Sequence, residues 1–210
     1  MFKGCGELPT KNILQQMIEA SYKKSLTHHI GSFDILHKTD TIAFYIDRKD
    51  KTIIIAIRGT RPTDVNDLEA DAMIPFNKLS TTKRFTKDLE EIIKVQKDHP
   101  PTEYDYYGTG HSLSGAILDI LLDKKIIKYA VSYNPAVERK YFHNSNNLRI
   151  YNAEDPLYNI MGRFTKNPEV RGKVRSYIEY GISKIPYIGT VYKNLKSHGI
   201  EQFKGGKKKK

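Results

Sequence analysis

Cysteine is almost missing from this chain: Cys5 is the only one in 210 residues. No disulfide can form within the chain, and the small disulfide-scaffold class is excluded. No stretch of about 18 apolar residues occurs, and Met1 to Thr10 has no charged-then-apolar leader. Neither a membrane-spanning helix nor a secretory signal is therefore expected. These absences lead to the expectation of an intracellular, cytoplasmic protein or one packaged in a virus particle.

Apolar residues, by contrast, are ordinary in number at 39%, which excludes a disordered chain and allows one sizeable core. The length is too short for two comfortable domains. One domain over 1–203 and a basic flexible tail over 204–210 are expected. The net charge is +11, from 35 basic and 24 acidic residues, which raises the question of an anionic partner. Two readings stand. The excess of Lys, with Ile, Asn and Tyr, can reflect an AT-rich genome. Alternatively, the end GGKKKK, with Lys207, Lys208, Lys209 and Lys210 on a glycine hinge, is a contact for nucleic acid, an anionic membrane or an acidic protein surface, or simply a cloning remnant.

Periodicity sets out the elements. Thr10 caps a helix that keeps helical spacing through Ile13, Leu14, Met17 and Ile18 to about Leu26. Residues 32–36, 41–46 and 52–57 are short β-rich runs separated by polar turns. The last, TIIIAI, is almost wholly apolar, as suits a central strand covered on both faces. A short helix follows around Val65 to Ala72. A longer one over 82–97 places Phe85, Leu89, Ile92, Ile93 and Gln96 on one stripe. Strands are expected over 103–107, 126–133 and 147–152, and a helix over 113–123. Alternation of β and α through the middle predicts a mostly parallel central sheet flanked by helices, with antiparallel hairpin strands on the N-terminal side. Residues 176–192 are rich in Tyr and Ile and broken by Gly181, Pro186 and Gly189; core packing, a surface segment and a lipid-facing patch are all open there.

The stretch GTGHSLSGA at 108–116 asks for an explanation. A Walker loop needs a lysine where Ala116 stands, and a dinucleotide fingerprint needs a glycine where Leu113 stands, so both phosphate-cradling readings fail. An ordinary glycine-rich turn remains, as does the nucleophile elbow G-x-S-x-G, a strand–serine–helix turn. In the elbow Ser112 sits in a strained backbone conformation with small residues two places to either side. Gly110 supplies one. Ser114 replaces glycine at the other, with Gly115 directly after it.

Taken in chain order, IIIAIRGT at 53–60, DVNDLEAD at 64–71, GHSLSGA at 110–116, RIYNAEDPL at 149–157 and KSHGIEQF at 196–203 resemble the class 3 lipase family, the fungal-type branch of the α/β-hydrolases. The likeness spans about Ile53 to Phe203. It implies an α/β-hydrolase-like fold and a carboxylic-ester hydrolase with no metal or organic cofactor. The nucleophile falls on Ser112, the acid on Asp155 and the base on His198. The amides of Thr60 and Leu113 form the oxyanion hole, with the Thr60 hydroxyl as a possible helper. The chain order supports these roles: the fold requires serine, acid, histidine, and of the two histidines after Ser112, His143 precedes Asp155. Glu154 and Glu138 stand as alternative acids. Bland readings also stand: His198 as a surface histidine, Asp155 as a turn-former before Pro156. Arg58 either anchors its loop through Asp67 or Asp71 or is a solvated strand-end charge. A lid would fall after Thr60, where Val65, Leu68, Met73, Ile74 and Phe76 are the apolar members of a brief acidic segment. Ser114 and the missing disulfides depart from secreted fungal lipases.

The resulting expectation is a serine hydrolase acting on lipid or acyl esters. Its competitors are a hydrolase-fold structural or virion-associated protein binding nucleic acid through its basic surface and tail, and a membrane-surface binder.

Overall fold

The computed structural model describes residues 9–61, 65–74 and 77–171. Helix α1 (Lys11–Tyr22) starts at Thr10, whose hydroxyl accepts from the amide of Ile13. Its apolar stripe of Leu14, Met17 and Ile18 is buried. The helix ends at Tyr22 rather than near Leu26, which is 54% exposed. Its last carbonyls are taken up by Lys38 Nζ, which reaches Ala20 O at 2.8 Å and also bonds Lys23 O.

Among the described residues, eight strands then form one sheet in chain order. Strands β1 (His29–Ile30), β2 (Phe33–Lys38), β3 (Ile42–Asp47) and β4 (Thr52–Ile57) are antiparallel neighbours. From β4 onward, β5 (Asp105–His111), β6 (Tyr129–Tyr133), β7 (Asn147–Asn152) and β8 (Glu169–Arg171) run parallel. The crossovers hold α2 (Val65–Met73), α3 (Lys83–Asp98), α4 (Leu113–Asp123) and the short α5 (Pro156–Ile160). The mostly parallel sheet flanked by helices, with antiparallel strands on the N-terminal side, is the architecture expected from the sequence.

The alternation of side chains along a strand explains the layering. On β3, Ile42, Phe44 and Ile46 face a cluster with α3 and α4, whereas Ala43 and Tyr45 face one with α1. Every residue of β4 is buried, as its apolar run requires. Two expectations shift. On α3 the buried stripe is Phe85, Ile92 and Val95, and Ile93 is 47% exposed. Strand β5 extends to His111, although GTG reads as loop. The glycines are there because α4 crosses close above: a Cβ on Gly108 would lie 2.3 Å from Leu118 Cδ2.

A buried polar cluster ties α4 to β7. Asp119 Oδ1 accepts from Arg149 Nη2 at 2.8 Å and Asn147 Nδ2 at 3.0 Å, while Asp119 Oδ2 and Arg149 Nε find no hydrogen bond among the described residues. Burial therefore outweighs the pull of Arg149, and the Asp119 carboxyl is pushed up to about 6. A folded value above the unfolded one means that this group's contribution is fully present below about pH 4 and is lost as pH rises through about 6. Asp119→Asn keeps the shape without the titration. It is expected to flatten the pH dependence of the unfolding midpoint between about pH 4 and 6, read by thermal denaturation; an unchanged slope would contradict this.

Candidate active site

Parallel strands bring their C-terminal ends to one rim, which is where open α/β sheets place their chemistry. The register aligns Ile57 with Gly110, His111 with Tyr133 and Tyr133 with Ile150. Thr60, Ser112 and Asp155 all follow strands ending on this rim.

Ser112 links β5 to α4 with φ 60 and ψ −125, a conformation costing a non-glycine residue on the order of 1–3 kcal/mol. Its backbone is held on both sides. The amide donates to Tyr133 O at 3.1 Å, and the carbonyl accepts from Gly115 N at 3.0 Å and Ala136 N at 2.9 Å. Ser112 is only half-buried, while Leu113, Ser114 and Gly115 after it are fully enclosed. Helix α4 begins at Leu113, so the Leu113 amide and the positive end of the helix dipole lie next to the serine.

The small residues around the bend are explained by contact. A Cβ on Gly110 would lie 2.2 Å from Ser114 Oγ, and one on Gly115 would lie 2.2 Å from Pro135 Cβ. Ser114 fits in place of a glycine because its hydroxyl folds back to donate to His111 O at 2.7 Å. Its departure from the G-x-S-x-G pattern leaves the turn intact.

The loop after β4 packs against the serine. A Cβ on Gly59 would sit 3.0 Å from Ser112 Cβ and 2.5 Å from His111 O, so the residue before Thr60 lies against the C-terminal end of β5. This loop is strapped by buried ion pairs. Arg58 and Arg84 both bond Asp67, Arg84 Nε reaches Asp88 Oδ2 at 2.8 Å, and Arg84 Nη2 donates to Arg58 O at 2.8 Å. Asp67 also accepts from the Arg61 amide at 2.8 Å. The anchor reading of Arg58 holds, through Asp67. Asp71 accepts from Thr60 Oγ1 at 2.8 Å, which commits the Thr60 hydroxyl proton.

Asp155 follows β7 as expected and is fully buried at the start of α5, where its Oδ1 accepts from Leu157 N at 2.7 Å. Both the turn-former role and a place at the rim are therefore met by one residue. Among the alternatives, Glu138 Oε1 is taken by the Leu79 amide at 2.9 Å, and Glu154 is exposed. His198, the tail lysines Lys207 to Lys210 and the segment 176–192 lie outside the described residues, as do parts of the lid region. Sequence reasoning missed Tyr22, whose hydroxyl bonds both Gly59 N and His111 Nδ1; nothing in its helical spacing marks it apart from a core-edge tyrosine. Among the described residues, no group of three or more His, Cys, Asp and Glu is placed to hold a metal, and no helix is long and apolar enough to cross a membrane.

No protein-family model matches the sequence, and no curated protein matches it significantly. Among solved structures the chain is similar to a fungal lipase in complex with an inhibitor, at 18% identity and a TM-score of 0.42, over 59% of this chain and 60% of that one. It thus spans less than two thirds of that lipase. It is also similar to the Lip2 lipase of Yarrowia lipolytica, at 13% identity and a TM-score of 0.48, over 77% and 78% of the two chains. A mutant form of MDLA from Penicillium cyclopium aligns at 19% identity and a TM-score of 0.35, over 69% and 68%.

Proposed function

We propose that this chain is a serine hydrolase that cleaves carboxylic esters of lipid or acyl type through an acyl-enzyme. What supports the reading above all is Ser112: a half-buried hydroxyl in a clamped, positive-φ strand-to-helix turn, a strain that a plain glycine-rich turn has no reason to keep. In the proposed mechanism His198 removes the Ser112 proton as Oγ attacks the ester carbonyl, and Asp155 orients and stabilises the imidazolium. The amides of Leu113 and Thr60 stabilise the oxyanion. His198 then returns the proton to the leaving alcohol, and a water activated by the same imidazole releases the acid. Labelling with a fluorophosphonate probe tests this. Wild type is expected to label, and Ser112→Ala and His198→Ala to lose labelling; an unlabelled wild type removes the support for a hydrolase.

The net charge of +11 favours a second reading, compatible with the first, in which the basic surface and tail hold nucleic acid or an anionic membrane in a cytoplasmic or virion-packaged setting. Removing Lys207 to Lys210 is expected to reduce retention on DNA or on anionic vesicles at low salt, by a factor that shrinks as salt is raised. No change on either would retire the tail as a contact.

A further inference from the structure

Tyr22 closes α1 and touches the loop after β4 twice. Its hydroxyl accepts from Gly59 N at 2.7 Å, and its carbonyl accepts from Arg61 Nη2 at 3.1 Å. The same hydroxyl lies 3.0 Å from His111 Nδ1, with the two rings meeting edge-on at 6.2 Å. With the oxygen accepting from the Gly59 amide, a phenolic proton turned to His111 Nδ1 is the arrangement in which the hydroxyl both accepts and donates. In that arrangement Nδ1 accepts and the imidazole proton sits on Nε2. His111 is 6% exposed and immediately precedes Ser112. There is no room for a side chain between these parts: a Cβ on Gly59 would lie 2.6 Å from the Tyr22 hydroxyl.

We infer that Tyr22 is a positioning residue: one hydroxyl bridges the Gly59 amide and His111, locking the Thr60 amide in register with Ser112. The inference rests on the hydrolase reading above and deepens it. The physical need is clear. An oxyanion donor is effective only when preorganised, with its N–H held close to where the charge develops. Thr60 stands on a loop from β4 while Ser112 and Leu113 stand on β5 and α4, so the two donors are set by different elements. Ion pairs to Asp67 hold the loop from the α2 and α3 side. The Tyr22 hydroxyl joins it to the strand that carries Ser112. It also occupies the Gly59 amide, so that the next amide along, Thr60, is the one presented. Burial pushes the Tyr22 phenol up to about 12, so it stays a donor across neutral pH.

The test is a double-mutant cycle on the full chain with p-nitrophenyl butyrate as substrate: Tyr22→Phe, His111→Leu, the double variant, and His111→Asn, whose amide can accept near the Nδ1 position. Tyr22→Phe and His111→Leu are each expected to lower kcat about 10- to 100-fold with KM within about twofold, since the transition state is affected and substrate binding is not. The double variant is expected to be no worse than the poorer single, and His111→Asn to keep most of the activity. Amide hydrogen exchange at Gly59 is expected to quicken in Tyr22→Phe. An active wild type with unaffected Tyr22→Phe, or with additive losses in the cycle, overturns the bridge alone, as does unchanged exchange at Gly59. A wild type that neither hydrolyses the ester nor labels with fluorophosphonate overturns the hydrolase reading, and the bridge's catalytic sense with it.

Discussion

Ser112→Ala is expected to lower kcat for a soluble short-chain ester by at least ~10⁴-fold, because in the proposed mechanism the nucleophile and its base act as a unit and losing either removes most of their joint effect. The control is Ser114→Ala. Ser114 is fully buried, and its hydroxyl donates to His111 O at 2.7 Å. Losing that neutral hydrogen bond costs about 1 kcal/mol of stability and leaves the Ser112 turn in place. The two serines, two positions apart, should thus differ by several orders of magnitude in rate. Equal losses in both variants would mean that the turn, not the Ser112 hydroxyl, is what matters. A Ser112→Ala protein with activity retained would remove the proposed mechanism.

Asp67→Ala is expected to be the most damaging substitution for stability. Asp67 is fully buried and bonds two buried guanidinium groups, Arg58 and Arg84, together with the Arg61 amide. Truncating it leaves cationic charge enclosed with less compensation, and breaking a buried pair in this way costs about 3–5 kcal/mol. For a chain of this length the unfolding midpoint should fall by roughly 10 °C, measured by calorimetry or circular dichroism. Activity should fall further than the folded fraction does, because the same carboxylate straps residues 58–61 beside Ser112. Arg84 retains Asp88 at 2.8 Å in this variant, so the loss should stop short of complete unfolding. A midpoint within a degree or two of wild type would show that the cluster contributes little.

The elements most legible in the sequence were those whose own pattern carried the decision. β4, α4 and β7 have the boundaries that periodicity predicts, since a continuous apolar run or a strong helical stripe needs no distant partner to be recognised. The elements that were missed are short or depend on neighbours. β1 and β8 have two and three residues and exist through pairing with β2 and β7. The strand character of Gly108 to His111 is invisible in glycine propensity and comes from α4 needing close approach.

The candidate site divides in the same way. Residue identity alone excluded the phosphate loops and singled out Ser112, because each chemistry demands particular atoms at particular spacings, and spacing along a chain is a property of the sequence. Chain order was likewise enough to rank His198 above His143 as the expected base. Only the tertiary structure decided that Arg58 is paired with Asp67, that the Thr60 hydroxyl donates to Asp71, and that Tyr22 bridges Gly59 and His111, the latter across 89 positions of sequence. Hydrogen bonds and ion pairs act over about 3 Å, and which polar groups come that close is set by how helices and strands pack, not by where they stand in the chain.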